Sequence, residues 1–184
     1  EPYVFGYEFG AFVRGLNTTT ARRIYAEERM AGAFGFDKRF DPFRVELGFE
    51  AARVDIKNID VGAPVDTFAV EGTNYIYTLT PGIVFDTRNS ILFPSSGFKV
   101  ALSYEFGGLW LGGDWDYGKF VAEAEAHWPL YENEDKHVWV FSADLRFGWA
   151  EPFGDTDSIP IFERFYAGGR DSIRGFEFRG VGPH

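Results

Sequence analysis

Trp139-Val140-Phe141-Ser142-Ala143-Asp144-Leu145-Arg146-Phe147-Gly148-Trp149 alternates without a break. Trp139, Phe141, Ala143, Leu145, Phe147 and Trp149 share one side of an extended chain; Val140, Ser142, Asp144, Arg146 and Gly148 share the other. Strand side chains point to opposite faces with period two, so this is a strand with one greasy and one wet side. It is also long, because soluble strands usually run about 5–6 residues.

The pattern recurs upstream. Phe120, Ala122, Ala124, Ala126, Trp128 and Leu130 oppose Lys119, Glu123, Glu125 and His127. Phe98, Val100, Leu102, Tyr104 and Phe106 oppose Lys99, Ala101, Ser103, Glu105 and Gly107. Tyr75, Tyr77, Leu79, Ile83 and Phe85 oppose Thr78, Thr80, Gly82 and Asp86, with Pro81 predicting a bulge or a local break in the ladder. Phe43, Val45, Leu47, Phe49 and Ala51 oppose Arg44, Glu46, Gly48 and Glu50. Beyond Ala52 the apolar phase passes to Val54 and Ile56, which predicts a bulge there. A weaker strand spans about Ile24 to Phe36 and ends in a turn from Asp37 to Pro42. The first strand sets Tyr3, Phe5, Tyr7, Phe9, Ala11 and Val13 against Val4, Gly6, Glu8, Gly10, Phe12 and Arg14, and Leu16 to Thr20 reads as a polar loop. About seven strands of roughly 10–14 residues result, and no stretch has a helical period.

Composition narrows what such a sheet is for. The 184 residues carry a net charge of −10 and no cysteine, which excludes disulfide frameworks, thiolate metal sites and cysteine nucleophiles. A sequence pI near 4.8 argues against a phosphate-binding surface, so no nucleic-acid partner is expected. No run approaches the ~18–20 apolar residues of a membrane-spanning helix, and no basic, apolar, small-residue leader opens the chain. Aromatics nevertheless reach 19%, and there are 22 glycines, while the mean hydropathy is only −0.19. Rings diluted this evenly by charge suit a sheet that is greasy on one face and wet on the other.

Two arrangements satisfy that pattern. In a soluble barrel or sandwich the apolar face points inward. In a transmembrane barrel lipid meets the rings, and the lumen receives Glu8, Glu46, Glu50, Asp86, Glu105, Glu123, Glu125, Asp144, Arg14, Arg44, Lys99, Lys119 and Arg146. Strand length favours the membrane, since about 9–11 tilted residues cross a bilayer. So do rings near strand ends, which match interfacial girdles. Turn asymmetry agrees: Asp37 to Pro42 and Tyr131 to Lys136 are short, whereas Leu16 to Arg23, Asn58 to Thr73 and the stretch after Ala150 are longer. An odd strand count, and a chain whose last stretch holds no closing strand, predict part of a larger barrel, because lipid does not tolerate open sheet edges.

Phe162-Glu163-Arg164-Phe165-Tyr166-Ala167-Gly168-Gly169, followed by Ser172-Ile173-Arg174-Gly175-Phe176 and Val181-Gly182-Pro183, resembles the signature of the BamA-like outer-membrane assembly family, the bacterial surface antigen family. Glu1-Pro2-Tyr3-Val4-Phe5-Gly6 is similar to its strand entry. Asp86-Thr87-Arg88-Asn89 with Phe93-Pro94-Ser95-Ser96-Gly97 is similar to its turn motif. The resemblance implies an antiparallel up-and-down transmembrane β-barrel of about sixteen strands. Residues 1–184 would supply a fragment ending in the long extracellular loop from about residue 150, with the periplasmic POTRA repeats and the first and last strands lying outside it. It places the turns at Phe93-Pro94 and Tyr131 to Lys136 on the periplasmic side. It also implies a location in the outer membrane of a Gram-negative-type bacterium.

The functional loop motif is then Ile173, Arg174, Gly175 and Phe176, folded back into the lumen, with Phe165, Tyr166, Gly168 and Gly169 at the loop base. Arg174 presents a planar fork that binds carboxylates in pairs, and a luminal guanidinium needs such a partner. Glu123 and Asp144 are the candidate acids in this chain. Glu123, Glu125 and His127 share a face, but three histidines in the whole chain make a metal or acid–base cluster an unattractive reading beside solvation of a wet wall. The implied function is assembly: folding and insertion of outer-membrane proteins, with lipid bilayer, unfolded barrel clients and accessory lipoproteins as partners, no cofactor, no metal and no covalent chemistry. A polypeptide secretion transporter, the translocation-and-assembly paralogue and a soluble β-barrel are the alternatives.

Overall fold

The computed structural model describes residues 9–22, 24–132, 138–168 and 175. Seven strands form one sheet in chain order: β1 (Phe9–Ala21), β2 (Ala26–Phe40), β3 (Phe43–Lys57), β4 (Gly72–Asp86), β5 (Gly97–Gly107), β6 (Tyr117–Glu132) and β7 (Val138–Pro152). Each pairs antiparallel with the next. Among the described residues no ladder joins β1 to β7, and the helical elements are a single turn, α1 (Val65–Phe68), and two 3₁₀ turns. No described helix is long and apolar enough to cross a membrane, which leaves crossing by strands untouched.

The rings point out of the sheet. Phe34, Phe36, Phe43, Trp128, Trp139, Phe141, Phe147 and Trp149 are all exposed, and several rings of this face meet across strands. Phe43 and Phe85 lie 4.8 Å apart, Phe85 and Phe98 5.4 Å, and Trp128 and Phe141 5.7 Å, forming a girdle around one end of the wall. Hydrophobic area left this open needs an apolar surrounding, which a bilayer provides. Tyr3, Phe5 and Tyr7 of the expected first strand lie outside the described residues, as does most of the Tyr131 to Lys136 turn.

Four expectations need correcting. Leu16 to Thr20 is not a loop: β1 continues through Ala21, paired to β2 from Leu16↔Ala31 to Ala21↔Ala26. The second strand likewise runs past Phe36 to Phe40, leaving only Asp41 and Pro42 as the turn. There is no bulge near Ala52, since β3 pairs with β4 continuously from Phe43↔Phe85 to Ile56↔Gly72. Val54 and Ile56 simply stand on the inner face, which has become dry there. A register shift does occur where none was expected, between Pro129 and Tyr131. At Pro81, Thr80 and Pro81 skip pairing with β5, but the register on either side is unchanged, a break and not a bulge.

The lumen therefore has two levels. At the end opposite the ring girdle, Tyr25, Ala52, Val54, Ile56, Val70, Ile76, Tyr117, Ile161 and Phe162 pack into a buried cluster on the inner face. On the outer face at the same height, lipid contact has ended. Lys57 pairs with Glu28 at 2.7 Å, Arg53 with Asp55 at 3.1 Å, and Thr73 donates to Asp55. The hydrophobic phase inverts because the strands outrun the membrane: water replaces lipid outside, and a loop replaces water inside.

Candidate functional site

That loop is the chain after β7. Pro160 is fully buried and opens a 3₁₀ turn, Ile161–Glu163, whose first two side chains join the dry cluster. The third is a carboxylate. Glu163 is 7% exposed and sits between two cations of the wall: Arg29 Nη1 of β2 donates to it at 2.8 Å, and Lys119 Nζ of β6 at 2.7 Å. Each cation has a second acid, Glu50 Oε1 at 2.7 Å from Arg29 Nη2 and Glu105 Oε1 at 3.3 Å from Lys119. The Tyr117 hydroxyl donates to Glu105 at 2.9 Å. Charges of alternating sign thus run Glu50, Arg29, Glu163, Lys119, Glu105, and one loop carboxylate ties β2 to β6 across the concave face.

Burial alone would push the Glu163 carboxyl up. Lys119, then Arg29, outweigh that and hold it below the usual carboxylate range. The loop has further attachments. Arg164 Nη1 pairs with Asp66 of α1, its Nε donates to the Ile159 carbonyl at 2.7 Å, and the Tyr166 hydroxyl donates to the Ile161 carbonyl at 2.6 Å. The Phe165 ring covers Gly148 of β7, where a Cβ would lie 2.9 Å from it.

The loop-base residues Phe165, Tyr166 and Gly168 are thus adjacent to the anchor, with Gly168 at φ +110°. Gly175 is exposed at φ +92°, a region closed to most side chains. Gly169, Ile173, Arg174 and Phe176 lie outside the described residues. Of the candidate acids, Glu123 forms an ion pair with Arg146 at 3.1 Å, and Asp144 stands opposite Glu125 in the β6–β7 ladder. At the anchor the polarity is the reverse of that expected for Arg174, with the acid on the loop and the bases on the wall. Glu163 carried a signal of its own, an acid placed directly after Ile159-Pro160-Ile161-Phe162. Arg29 carried little, because β2 is the least regular of the strands.

Glu125 and His127 belong to a second network at the turn end. Arg88 reaches Asp86 Oδ2 at 2.8 Å and Glu125 Oε2 at 3.0 Å; His127 Nε2 meets Glu125 at 2.6 Å, and Nδ1 meets the Ser142 hydroxyl at 2.8 Å. This brace joins β4, β6 and β7. Among the described residues no group of three His, Asp or Glu side chains could hold a metal ion. Beside the first network lies a cavity of about 610 Å³, lined by charged and hydroxyl side chains such as Arg14, Glu46, Ser103 and Glu163 together with Phe12 and Leu47.

The Omp85 superfamily domain matches residues 1–184. The outer membrane protein assembly factor BamA of Nitratidesulfovibrio vulgaris is 35% identical over 139 residues, 76% of this chain and 17% of that protein. The sorting and assembly machinery component 50 homolog of Bos taurus is 36% identical over 122 residues, 65% of this chain and 24% of that protein. The crystal structure of BamA from Haemophilus ducreyi lacking POTRA domains 1–3 superimposes on the whole chain with a TM-score of 0.75 at 19% identity, and the chain covers 37% of it. The chain therefore spans well under half the length of the relatives it matches.

Proposed function

Because this chain belongs to the Omp85 superfamily, we propose that it is part of the wall of an outer-membrane barrel that catalyses folding and insertion of β-barrel proteins. The observation that carries the reading is the identity to proteins named for assembly in both a bacterium and an animal, over most of the chain in the first case. The architecture supports it: a belt of exposed rings outside, a cavity carrying charged side chains inside, and a loop held over it by Glu163. No covalent chemistry, nucleotide or cofactor takes part. The work is mechanical and interfacial, a free strand edge offered to an incoming strand by β-augmentation while the barrel perturbs the bilayer beside it.

The described wall supplies seven strands of the barrel, and strands outside it close the sheet and form the seam. Accessory lipoproteins dock on periplasmic domains preceding the wall. By the family resemblance, Arg174 is the residue of the loop motif on which function is expected to depend, beside the Glu163 anchor. The test uses the full-length protein in lipid vesicles, supplied with an unfolded barrel client. The expected result is faster appearance of a folded, heat-modifiable client than in empty vesicles, and loss of that acceleration in Arg174→Ala. Protease-protected translocation of a soluble polypeptide, with no acceleration of client folding, would move the assignment to secretion.

A further inference from the structure

We propose that the β5–β6 loop is a membrane-surface anchor, with Leu109 and Trp110 seated in the interfacial layer of the outer lipid leaflet. The loop is built and not merely long. Gly108 N–H donates to the Tyr77 carbonyl at 3.1 Å, Asp114 N–H to the Tyr75 carbonyl at 2.9 Å, and Tyr75 N–H to Asp114 Oδ2 at 2.7 Å. These bonds fix Gly108 level with Tyr77, opposite Ala51 at the end of the lipid-facing row, and Asp114 one step beyond it, level with Tyr75 opposite Arg53, where water begins.

Gly113 bridges Ile76 at the edge of β4, so the first half of the loop reaches the outward side. A Cβ on Gly113 would sit 3.4 Å from the Tyr77 ring, which faces out. Asp116, one residue before the inward-facing Tyr117, reaches Leu109 N–H at 2.5 Å. Two tryptophans in this loop are then treated differently. Trp115 packs on the inner cluster with its N–H donated to Asn74 Oδ1 at 2.9 Å. Trp110 is 75% exposed beside Leu109 at 50%. Leu109 is held at φ +53°, a conformation that costs a branched side chain energy and persists only where its surroundings impose it. A strained, stapled turn that presents a leucine and a tryptophan at the rim of a lipid-facing belt is continuous with that belt, and tryptophan favours this layer. The inference rests on the lipid-facing orientation of the wall and not on assembly activity.

The test exploits the absence of cysteine from this chain. Trp110→Cys, in the full-length protein freed of any cysteine elsewhere, is spin-labelled after folding into phosphatidylcholine vesicles. The label is expected to collide with dissolved oxygen more than with a water-soluble nickel chelate. A label at Val61→Cys, on the β3–β4 connection, is expected to show the opposite order. Nickel dominance at both positions would overturn the proposal, and so would shielding of residue 110 from both reagents, which would mean a protein partner. A second measurement needs only Trp110→Phe: quenching by lipids brominated near the headgroup is expected to fall relative to the parent protein. Unchanged quenching would equally refute the anchor.

Discussion

Glu163 shows what one buried carboxylate does when two cations face it. A lone ionised acid in that position would neutralise itself; paired with Arg29 and Lys119 it stays charged and holds the loop down. Glu163→Gln removes the charge and keeps the shape. Breaking one side of a buried pair costs roughly 3–5 kcal/mol, and the lower end is expected because Glu50 and Glu105 leave each cation one acid. Denaturant unfolding of the full-length barrel in vesicles measures it. The pH dependence follows from the sign. A carboxyl held below its unfolded value of about 4.3 contributes stability that is present above that value and lost as pH falls through the folded one. The parent protein should therefore lose stability on acidification below the ordinary carboxylate range more steeply than Glu163→Gln does. Equal slopes would show that Glu163 is not the group responsible.

The strands make their case through alternation, and they also show where alternation misleads. From Phe43 to Ala51 the outward residues were legible as a lipid face, because one surrounding, the bilayer, acts along the whole stretch. Beyond Ala52 the same rule predicts a bulge, and the backbone has none. What changes is the surroundings: Val54 and Ile56 are fully buried under the loop, while Arg53 and Asp55 meet water outside. Leu16 to Thr20 misled similarly, a threonine-rich strand above the membrane reading as a loop. A periodicity argument sees polarity but not which medium supplies it. Within the membrane the rule should hold quantitatively. Leu145 lies midway along the outward row of β7, and Leu145→Arg is expected to cost about 2–4 kcal/mol in vesicles, the range for a cation near the bilayer midplane. At the turn end, Gly97 has φ +96° and a Cβ there would sit 2.4 Å from the Thr87 carbonyl oxygen, so Gly97→Ala is expected to cost about 1–3 kcal/mol and to loosen the turn that carries Arg88. Proteolytic nicking within residues 87–96 reads that loosening.

The molecule as a whole is a wall whose inner face is dry above and wet below, and the border between the two is Glu163. On one side of it, Phe162, Val54 and their neighbours form the dry cluster; on the other, the 610 Å³ cavity begins, with Glu163 itself in its lining. That division belongs to no single strand, since it depends on a loop folding back over strands far from it in sequence. Its parts were in the sequence as charges on a wet face and apolar residues in a tail, but not their contact. Thiol reactivity can map the border in a chain without cysteine. Ser103→Cys, lining the cavity, should react readily with a small water-soluble maleimide added from the periplasmic side. Ile56→Cys, with no exposed surface, should react only when the loop lifts. If lifting requires about 3 kcal/mol of local opening, its rate is roughly a hundredfold lower. Combining Ile56→Cys with Glu163→Gln should raise that rate while leaving Ser103→Cys unchanged, because only the first depends on the latch. A rate at position 56 that ignores Glu163 would mean that the cluster keeps water out without the carboxylate's help.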